Sequence, residues 1–222
     1  MMREPDDRVL RSSRRSRAAP AAGLALALAL CGGAAAEPAP RPGHYGSLTL
    51  AVRDGSVSGV FAEGRGEAGP GGAPTFGCIF LLRGTLSGGR ATVETWYPGE
   101  AERISGTLAF TTDGAALTLA EDHGGCPMTT GSMVGQPHAL LREAPQAGEE
   151  GETWRDAALV TARRARLRPG PGPAPGRGPY LVENDPVAVL ERRDGWVRVL
   201  YRGGRTPVAG WLPAGDLAVA GL

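Results

Sequence analysis

Short runs in which apolar and polar residues alternate follow one another along residues 40–142, separated by turns rich in glycine. In one run Leu48, Leu50 and Val52 recur at every second position, which is the period of a half-buried strand. Asp-Gly pairs at 54–55 and 113–114 mark tight hairpins, since glycine adopts positive φ at low cost. The pattern predicts seven strands, over 45–52, 57–63, 75–83, 91–97, 104–110, 115–120 and 137–142.

Strands joined in order by hairpins form an antiparallel meander, and such a sheet removes its edges by closing into a barrel or folding into a sandwich. We therefore predict an all-β fold whose first domain covers 40–142, as a barrel or as a sandwich. Strand 75–83 carries Cys78 and Phe80 on one face and Ile79 and Leu81 on the other, so we expect it to be central.

Residues 143–154 are charged and lack apolar periodicity, which predicts a linker. Beyond the linker, short apolar runs alternate with glycine-containing turns to the end of the chain. This part resembles the bacterial SH3-like (SH3b) domain. The resemblance covers about a third of the chain and is carried by Arg168, Gly170, Pro171, Val187, Val189, Gly195, Trp196, Val199, Gly210, Trp211 and Leu217.

The resemblance implies a small SH3-like barrel over 155–222 that binds peptide or peptidoglycan. Two departures are visible: Asn184-Asp185 replaces the usual glycine before the Val-x-Val strand, and the loop 170–178 is unusually rich in Pro and Gly. Asn and Asp tolerate left-handed backbone, so the first departure is compatible with the fold. Aromatic rings at the mouth of a small barrel suit extended peptides or sugars. The candidate contact residues are Tyr180, Trp196, Tyr201 and Trp211, with core packing as the alternative for both tryptophans.

The first 36 residues have the pattern of a secretory signal peptide. Six arginines precede an apolar run at 21–30, which ends in CGGAAA at 31–36, and we expect cleavage after Ala36. Cys31 offers an alternative lipid-attachment site, although Leu30 stands where that motif has a small residue. Ser13-Arg14-Arg15 is similar to a twin-arginine signal, so the export route stays open. We predict a periplasmic or secreted protein whose mature chain has no transmembrane span.

Charge divides the chain in the same place as the strand pattern. Residues 37–150 contain 7 Arg and 13 acidic residues, a net charge of −6, whereas residues 151–222 contain 11 Arg and 7 acidic residues, a net charge of +4. The asymmetry supports two modules, and the total of −2 gives no reason to expect a nucleic-acid partner. A mildly basic C-terminal module favours an anionic polymer, with scattered solvated charge as the alternative.

Two cysteines remain after the leader, Cys78 and Cys126, and in an oxidising compartment they are expected to form a disulfide. A single reactive thiol is the alternative. The densest polar cluster lies beside Cys126, where Asp122, His123 and Cys126 could ligate a metal, but a structural zinc site usually needs four ligands. Ser132 could join Asp122 and His123 in a triad, although no nucleophile-elbow sequence surrounds it.

Glu94, Glu100 and Glu102 lie near Trp96 and Tyr97 in the sequence and could line a sugar cleft with paired carboxylates. Solvated strand faces and a turn are the simpler interpretation of the three glutamates. We therefore predict no catalytic residues, no metal and no cofactor. The leading hypothesis is a non-enzymatic binding protein of the bacterial envelope, with cell-wall peptide or glycan, or an envelope protein, as its partner. The alternatives are a small-ligand carrier or enzyme inhibitor acting through the N-terminal domain, and a hydrolase.

Overall fold

The computed structural model describes residues 38–66, 76–172, 178–204 and 206–221. The predicted signal peptide, including Cys31, lies outside the described residues. The described chain is mostly β-strand with almost no helix, as predicted. Within these residues, no helix is long and apolar enough to cross a bilayer.

The N-terminal half is one antiparallel sheet of eight strands that pair strictly in chain order. Backbone contacts nearly close it into a barrel, because Tyr45 bridges to Arg142 and the Glu143 amide donates to the His44 carbonyl at 2.9 Å. The meander is confirmed, and of the two architectures left open the barrel is the one that forms. The strands are β1 (Gly43–Tyr45), β2 (Leu48–Arg53), β3 (Ser56–Arg65), β4 (Phe76–Ser87), β5 (Arg90–Trp96), β6 (Ile104–Phe110), β7 (Gly114–Leu119) and β8 (His138–Leu141).

The eighth strand is β1, which was not predicted: it lies almost wholly before the first predicted strand, 45–52, and shares only Tyr45 with it. Gly46 has φ +57° and Tyr45 pairs with Leu48, so a tight turn at the start of the predicted strand joins β1 to β2. At the predicted Asp54-Gly55 turn both residues have positive φ, 50° and 74°, as a two-residue hairpin of type I′ requires.

Large side chains fill the interior of the barrel. Phe61 and Phe80 stack with ring centroids 4.8 Å apart, and both are fully buried. The predicted disulfide is confirmed: Cys78 on β4 is bonded to Cys126, with Cα atoms 4.4 Å apart. Cys126 begins a one-turn helix, α1 (Cys126–Thr129), which the strand pattern did not predict. The disulfide thus ties this helix to the central strand.

The C-terminal module contains a five-stranded antiparallel sheet and a separate two-stranded hairpin. Val187, Val189, Val197 and Val199 share its apolar core with Leu212. Its strands are β9 (Asp156–Val160), β10 (Arg164–Arg166), β11 (Tyr180–Val182), β12 (Pro186–Arg193), β13 (Trp196–Tyr201), β14 (Val208–Pro213) and β15 (Leu217–Val219); the sheet order is β14-β13-β12-β9-β15, and β10 pairs with β11.

The backbone before β12 follows the expectation drawn from the sequence. Asn184 has φ +73°, a left-handed conformation at the position where the SH3-like pattern has glycine. Asn adopts this conformation more readily than most residues. Asn184 is therefore compatible with the turn that leads into β12.

The two sheets also pack against each other through apolar residues. The outward faces of β3 and β4 contribute Val60 and Leu81, which cluster with Ala157 and Leu159 of β9. This contact explains why strand β4 has two apolar faces and why every residue of β9 is buried. A second shared cluster is formed by Ala51, Trp154, Ala188, Leu190 and Leu200.

Candidate binding surface

Trp196 and Trp211 lie on the face of the C-terminal sheet opposite its apolar core, the face on which Leu200 also packs against the N-terminal module. Alternation sends Val197 and Val199 of β13 into the core, which leaves Trp196 on the opposite face. In the register of β13 and β14, Trp211 lies directly opposite Arg198. Trp196 lies opposite Arg193 of β12. The sheet thus brings two tryptophans and two arginines together on one face.

Arginine side chains stack on both indole rings. The guanidinium carbon of Arg168 lies 4.6 Å from the ring centroid of Trp196, and that of Arg193 lies 5.6 Å from the ring centroid of Trp211. Such cation–π contacts are favourable at these distances. Trp211 is only 7% exposed although it lies outside the apolar core, whereas Trp196 is half-buried. Of the two indole rings, that of Trp196 is therefore the more accessible to solvent.

The arginines on this face differ in their acidic partners. Arg193 pairs with Glu191 at 2.8 Å, and Arg198 pairs with Glu152 at 3.0 Å. Arg168 donates to the Gly172 carbonyl, and within the described residues no carboxylate lies within ion-pair distance of it. We call Arg168, Arg193, Trp196, Arg198 and Trp211 the Arg–Trp surface. Within this surface, Arg168 is the arginine whose guanidinium has no ion-paired carboxylate among the described residues. Burial raises the pKa of the nearby Asp216 carboxyl, and the positive charge of Arg168 opposes that rise.

Tyr180 is the most exposed of the four predicted contact residues. It lies on β11, its side chain is 47% exposed, and its neighbour Val182 is 44% exposed. The guanidinium carbon of Arg164, on the paired strand β10, lies 3.7 Å from the Tyr180 ring centroid. The β10–β11 hairpin therefore presents a third stacked arginine–aromatic pair, and this one is exposed to solvent.

Tyr201 has a different role. It packs against the apolar core, and its hydroxyl donates to Asp185 Oδ1 at 3.0 Å. Asp185 Oδ2 in turn accepts from the Val182 amide at 2.7 Å. Burial, followed by the charge and hydrogen bond of Asp185, raises the pKa of Tyr201 to about 12. Tyr201 thus braces the loop before β12, on the face opposite the two tryptophans.

A buried ionic cluster that the sequence did not reveal joins the two modules. Arg202, after β13, donates from Nε to Glu149 Oε1 at 2.6 Å and from Nη1 to Glu143 Oε2 at 2.7 Å. His44 Nε2 of β1 lies 3.5 Å from Glu149 Oε1. The Arg202 and Glu149 side chains are 7% and 4% exposed. The segment 143–154, predicted as a linker, is therefore packed between the modules.

Burial and charge shift the pKa values inside this cluster. Burial, reinforced by the positive charge of Arg202, lowers the pKa of His44 despite the opposing glutamates. Burial alone would raise the pKa of Glu149, but the Arg202 guanidinium, the Gln146 amide and His44 together bring it below its usual value. Near neutral pH, both shifts favour a neutral imidazole beside a carboxylate–guanidinium pair.

The Asp122–His123 cluster does not form the arrangement of a triad. The Ser132 hydroxyl donates to Asp122 Oδ2 at 2.6 Å, while His123 Nε2 lies 2.7 Å from Thr95 Oγ1 and its ring stacks on Phe80. Burial lowers the pKa of His123 against the pull of nearby carboxylates. Asp122 and His123 thus have separate partners.

Residues with metal-binding side chains are also dispersed. Cys126 is bonded to Cys78, which removes its thiolate as a ligand for a metal ion. Across the parts of the chain that the structure describes, no three His, Cys, Asp or Glu side chains are close enough to hold a metal ion.

Trp96 belongs to the contact between the modules and not to an open sugar cleft. It is 8% exposed and packs in the cluster that includes Leu159. The guanidinium carbons of Arg83 and Arg103 lie 5.5 and 4.6 Å from its ring centroid. Glu94, the nearest of the three glutamates in sequence, pairs with Arg83 at 3.4 Å.

Comparison of the chain with known protein families, curated proteins and solved structures finds no match. The geometry of the described residues is therefore the basis for a proposal about function.

Proposed function

We propose that this chain is an exported, non-enzymatic binding protein of the bacterial envelope. In this proposal the C-terminal module is an SH3-like barrel that binds cell-wall peptide or peptidoglycan through the Arg–Trp surface. The observation that carries it is the half-buried ring of Trp196 with the guanidinium of Arg168 stacked on it and, among the described residues, no carboxylate paired with that guanidinium.

The chemistry of this surface suits such a polymer. An indole ring offers a flat contact area to a sugar or a peptide backbone with little loss of side-chain entropy. A guanidinium binds carboxylates through charge-assisted hydrogen bonds. The stem peptides of a cell wall carry carboxylates beside sugar rings, and the net charge of +4 on residues 151–222 favours their approach.

The residues behind the SH3-like resemblance give further support. Val187 and Val189 lie on β12, and Val199 lies on β13, all directed to one apolar core. A Cβ atom at Gly210 would lie 3.0 Å from the Arg168 carbonyl oxygen and 2.9 Å from Leu167 Cβ. Glycine at that position lets the segment bearing Arg168 cross β14 closely, which places Arg168 against Trp196.

The test is retention on purified cell wall of the chain without its leader. We expect Trp196→Ala and Arg168→Gln each to weaken retention about tenfold, the effect of losing one good aromatic or charged contact. Tyr97→Ala, which removes a 44% exposed aromatic ring from the N-terminal module, and Arg90→Gln are the matched controls. Equal retention of Trp196→Ala and the Tyr97→Ala control would remove the Arg–Trp surface from the proposal.

The test keeps both modules because each covers an apolar face of the other. A fragment ending at residue 150 would uncover Ala51, Val60 and Leu81, and an exposed patch of this kind adheres non-specifically. Substitutions in the whole mature chain avoid this artefact.

Export has its own test. N-terminal sequencing of the protein recovered from a bacterial periplasm or culture medium is expected to begin at Glu37. An intact N-terminus on protein confined to the cytosol would contradict export.

A further inference from the structure

A cavity opens at the end of the N-terminal barrel where β1 closes against the end of β8. It measures about 280 Å³, and its walls include Tyr45 of β1, Phe110 of β6 and the turn after it, and Arg142. The barrel interior behind it is filled by side chains such as Phe61 and Phe80. A ligand of this module would therefore bind at the mouth, which is a common site in β-barrels.

The charge of the cavity is opposite to that of its module. Among the described residues, Arg41 and Arg142 are the charged residues that line it and no carboxylate does so, although residues 37–150 carry a net charge of −6. Within the described residues, no carboxylate lies within ion-pair distance of either guanidinium. Both arginines act on the Tyr45 phenol, whose pKa burial raises and the two positive charges lower. The two cations thus share one small space.

The remaining walls supply an apolar surface and hydroxyl groups. The rings of Tyr45 and Phe110 meet edge to face, with centroids 6.4 Å apart and an interplanar angle of 73°. Thr111 and Thr112 line the cavity beside them. Arg142 is held in place, since its Nη2 donates to the Pro42 carbonyl at 3.2 Å and its guanidinium carbon lies 6.0 Å from the Tyr45 ring centroid.

We propose that this cavity binds a small organic oxyanion, a carboxylate or phosphate group attached to a single apolar ring. The guanidiniums of Arg41 and Arg142 hold the oxyanion, the threonine hydroxyls donate to it, and the Tyr45 and Phe110 rings contact the apolar part. The volume lies at the lower end of the range for ligand pockets, which limits the ligand to about one ring. The site lies on a different module from the Arg–Trp surface, so either proposal can fail without the other.

The test is calorimetric titration of the mature chain with benzoate, its neutral isostere benzamide and inorganic phosphate. We expect saturable binding of benzoate and at least about tenfold weaker binding of benzamide, because the amide lacks the charge that both arginines recognise. Benzoate is expected to bind more tightly than inorganic phosphate, because only benzoate carries a ring for Tyr45 and Phe110 to contact. The proposal would be overturned if benzoate and benzamide bound equally well, or if benzoate showed no saturable binding.

Variants localise the site. The Arg41 side chain is exposed, so Arg41→Gln is expected to leave the fold intact and to weaken oxyanion binding about tenfold, the loss of one charge-assisted contact. Arg90→Gln removes another exposed arginine, which lies outside the cavity lining, and is expected to bind like the parent protein. Unchanged binding in Arg41→Gln, or equal weakening in both variants, would refute this location.

Discussion

Removing the guanidinium of Arg202 should destabilise the protein far more than removing a surface arginine. Arg202 contacts Glu149 through Nε and Nη2, Glu143 through Nη1 and the Ala144 carbonyl through Nη2, so one side chain of the C-terminal module holds much of the segment 143–154. In Arg202→Met the aliphatic volume is kept but the charge is lost. Glu149, 4% exposed, then remains as a buried carboxylate without its cation.

The expected loss is about 3–5 kcal/mol near neutral pH, the usual cost of leaving one member of a buried ion pair unpaired. The double variant Arg202→Met/Glu149→Gln removes both charges and should lose less than Arg202→Met alone. With the single variant Glu149→Gln measured as well, the double-mutant cycle should give a coupling energy between the two residues of about 2 kcal/mol, within the range for contacting pairs. The surface pair Arg83–Glu94, with side chains 52% and 55% exposed, provides the control, and Arg83→Met should cost no more than about 1 kcal/mol.

Urea unfolding monitored by tryptophan fluorescence measures these differences. Trp154 is a local reporter, since its ring lies edge to face on His44 with centroids 5.0 Å apart. The midpoint of Arg202→Met is expected to fall well below that of Arg83→Met, with a similar slope. If the two midpoints agree, or if the double variant is less stable than Arg202→Met, then the buried pair is not what fastens the modules.

Three further predictions follow from the same structure. Cys78→Ser/Cys126→Ser should lose about 4 kcal/mol in urea unfolding, the chain-entropy value for a loop closed over 48 residues, and an unchanged midpoint would contradict the disulfide's role. Trp154→Ala should lose about 3–5 kcal/mol in the same assay, as for a large buried aromatic residue, and a loss below 1 kcal/mol, a tenth of what stability commonly amounts to, would contradict its place between the modules. Stability should fall on acidification, because the folded-state pKa values of His44 and Glu149 are both lowered and the unfolded chain takes up protons first. The stability that these groups contribute is present above their unfolded-state pKa values and is lost as the pH falls toward their folded-state pKa values. Urea midpoints measured against pH should show a shallower fall in His44→Gln.

Strand positions could be predicted from the sequence because alternation and turn chemistry are local signals. The strand predicted at 104–110 matches β6, Ile104–Phe110, and the Asp54-Gly55 hairpin forms as expected. Strand β1 could not be predicted in the same way, because its three residues, Gly43–Tyr45, are too few to show alternation. The two apolar faces of β4 could be read from the sequence, and the second face is the one that packs against the C-terminal module.

Composition alone did not predict the burial of residues in the segment 143–154. The segment 143–154 has no apolar periodicity, yet Glu149 and Trp154 are both buried within it. Their partners, Arg202 and His44, lie far away in the chain, and no local pattern points to such pairs. Similarly, the sequence singled out Trp211 as a contact residue, but stacking of Arg193 over its ring depends on the register between strands. Contacts between residues far apart in the chain, or on different strands, therefore decide both the burial of this segment and the environment of Trp211.

The most direct test of the proposed function uses the chain's four tryptophans as internal probes. In ¹H–¹⁵N spectra of the ¹⁵N-labelled mature chain titrated with soluble peptidoglycan fragments, the indole signal of Trp196 is expected to shift most, while those of Trp96 and Trp154, buried between the modules, stay in place. No shift of Trp196 at saturating fragment, or shifts confined to Trp96 and Trp154, would contradict binding at the Arg–Trp surface.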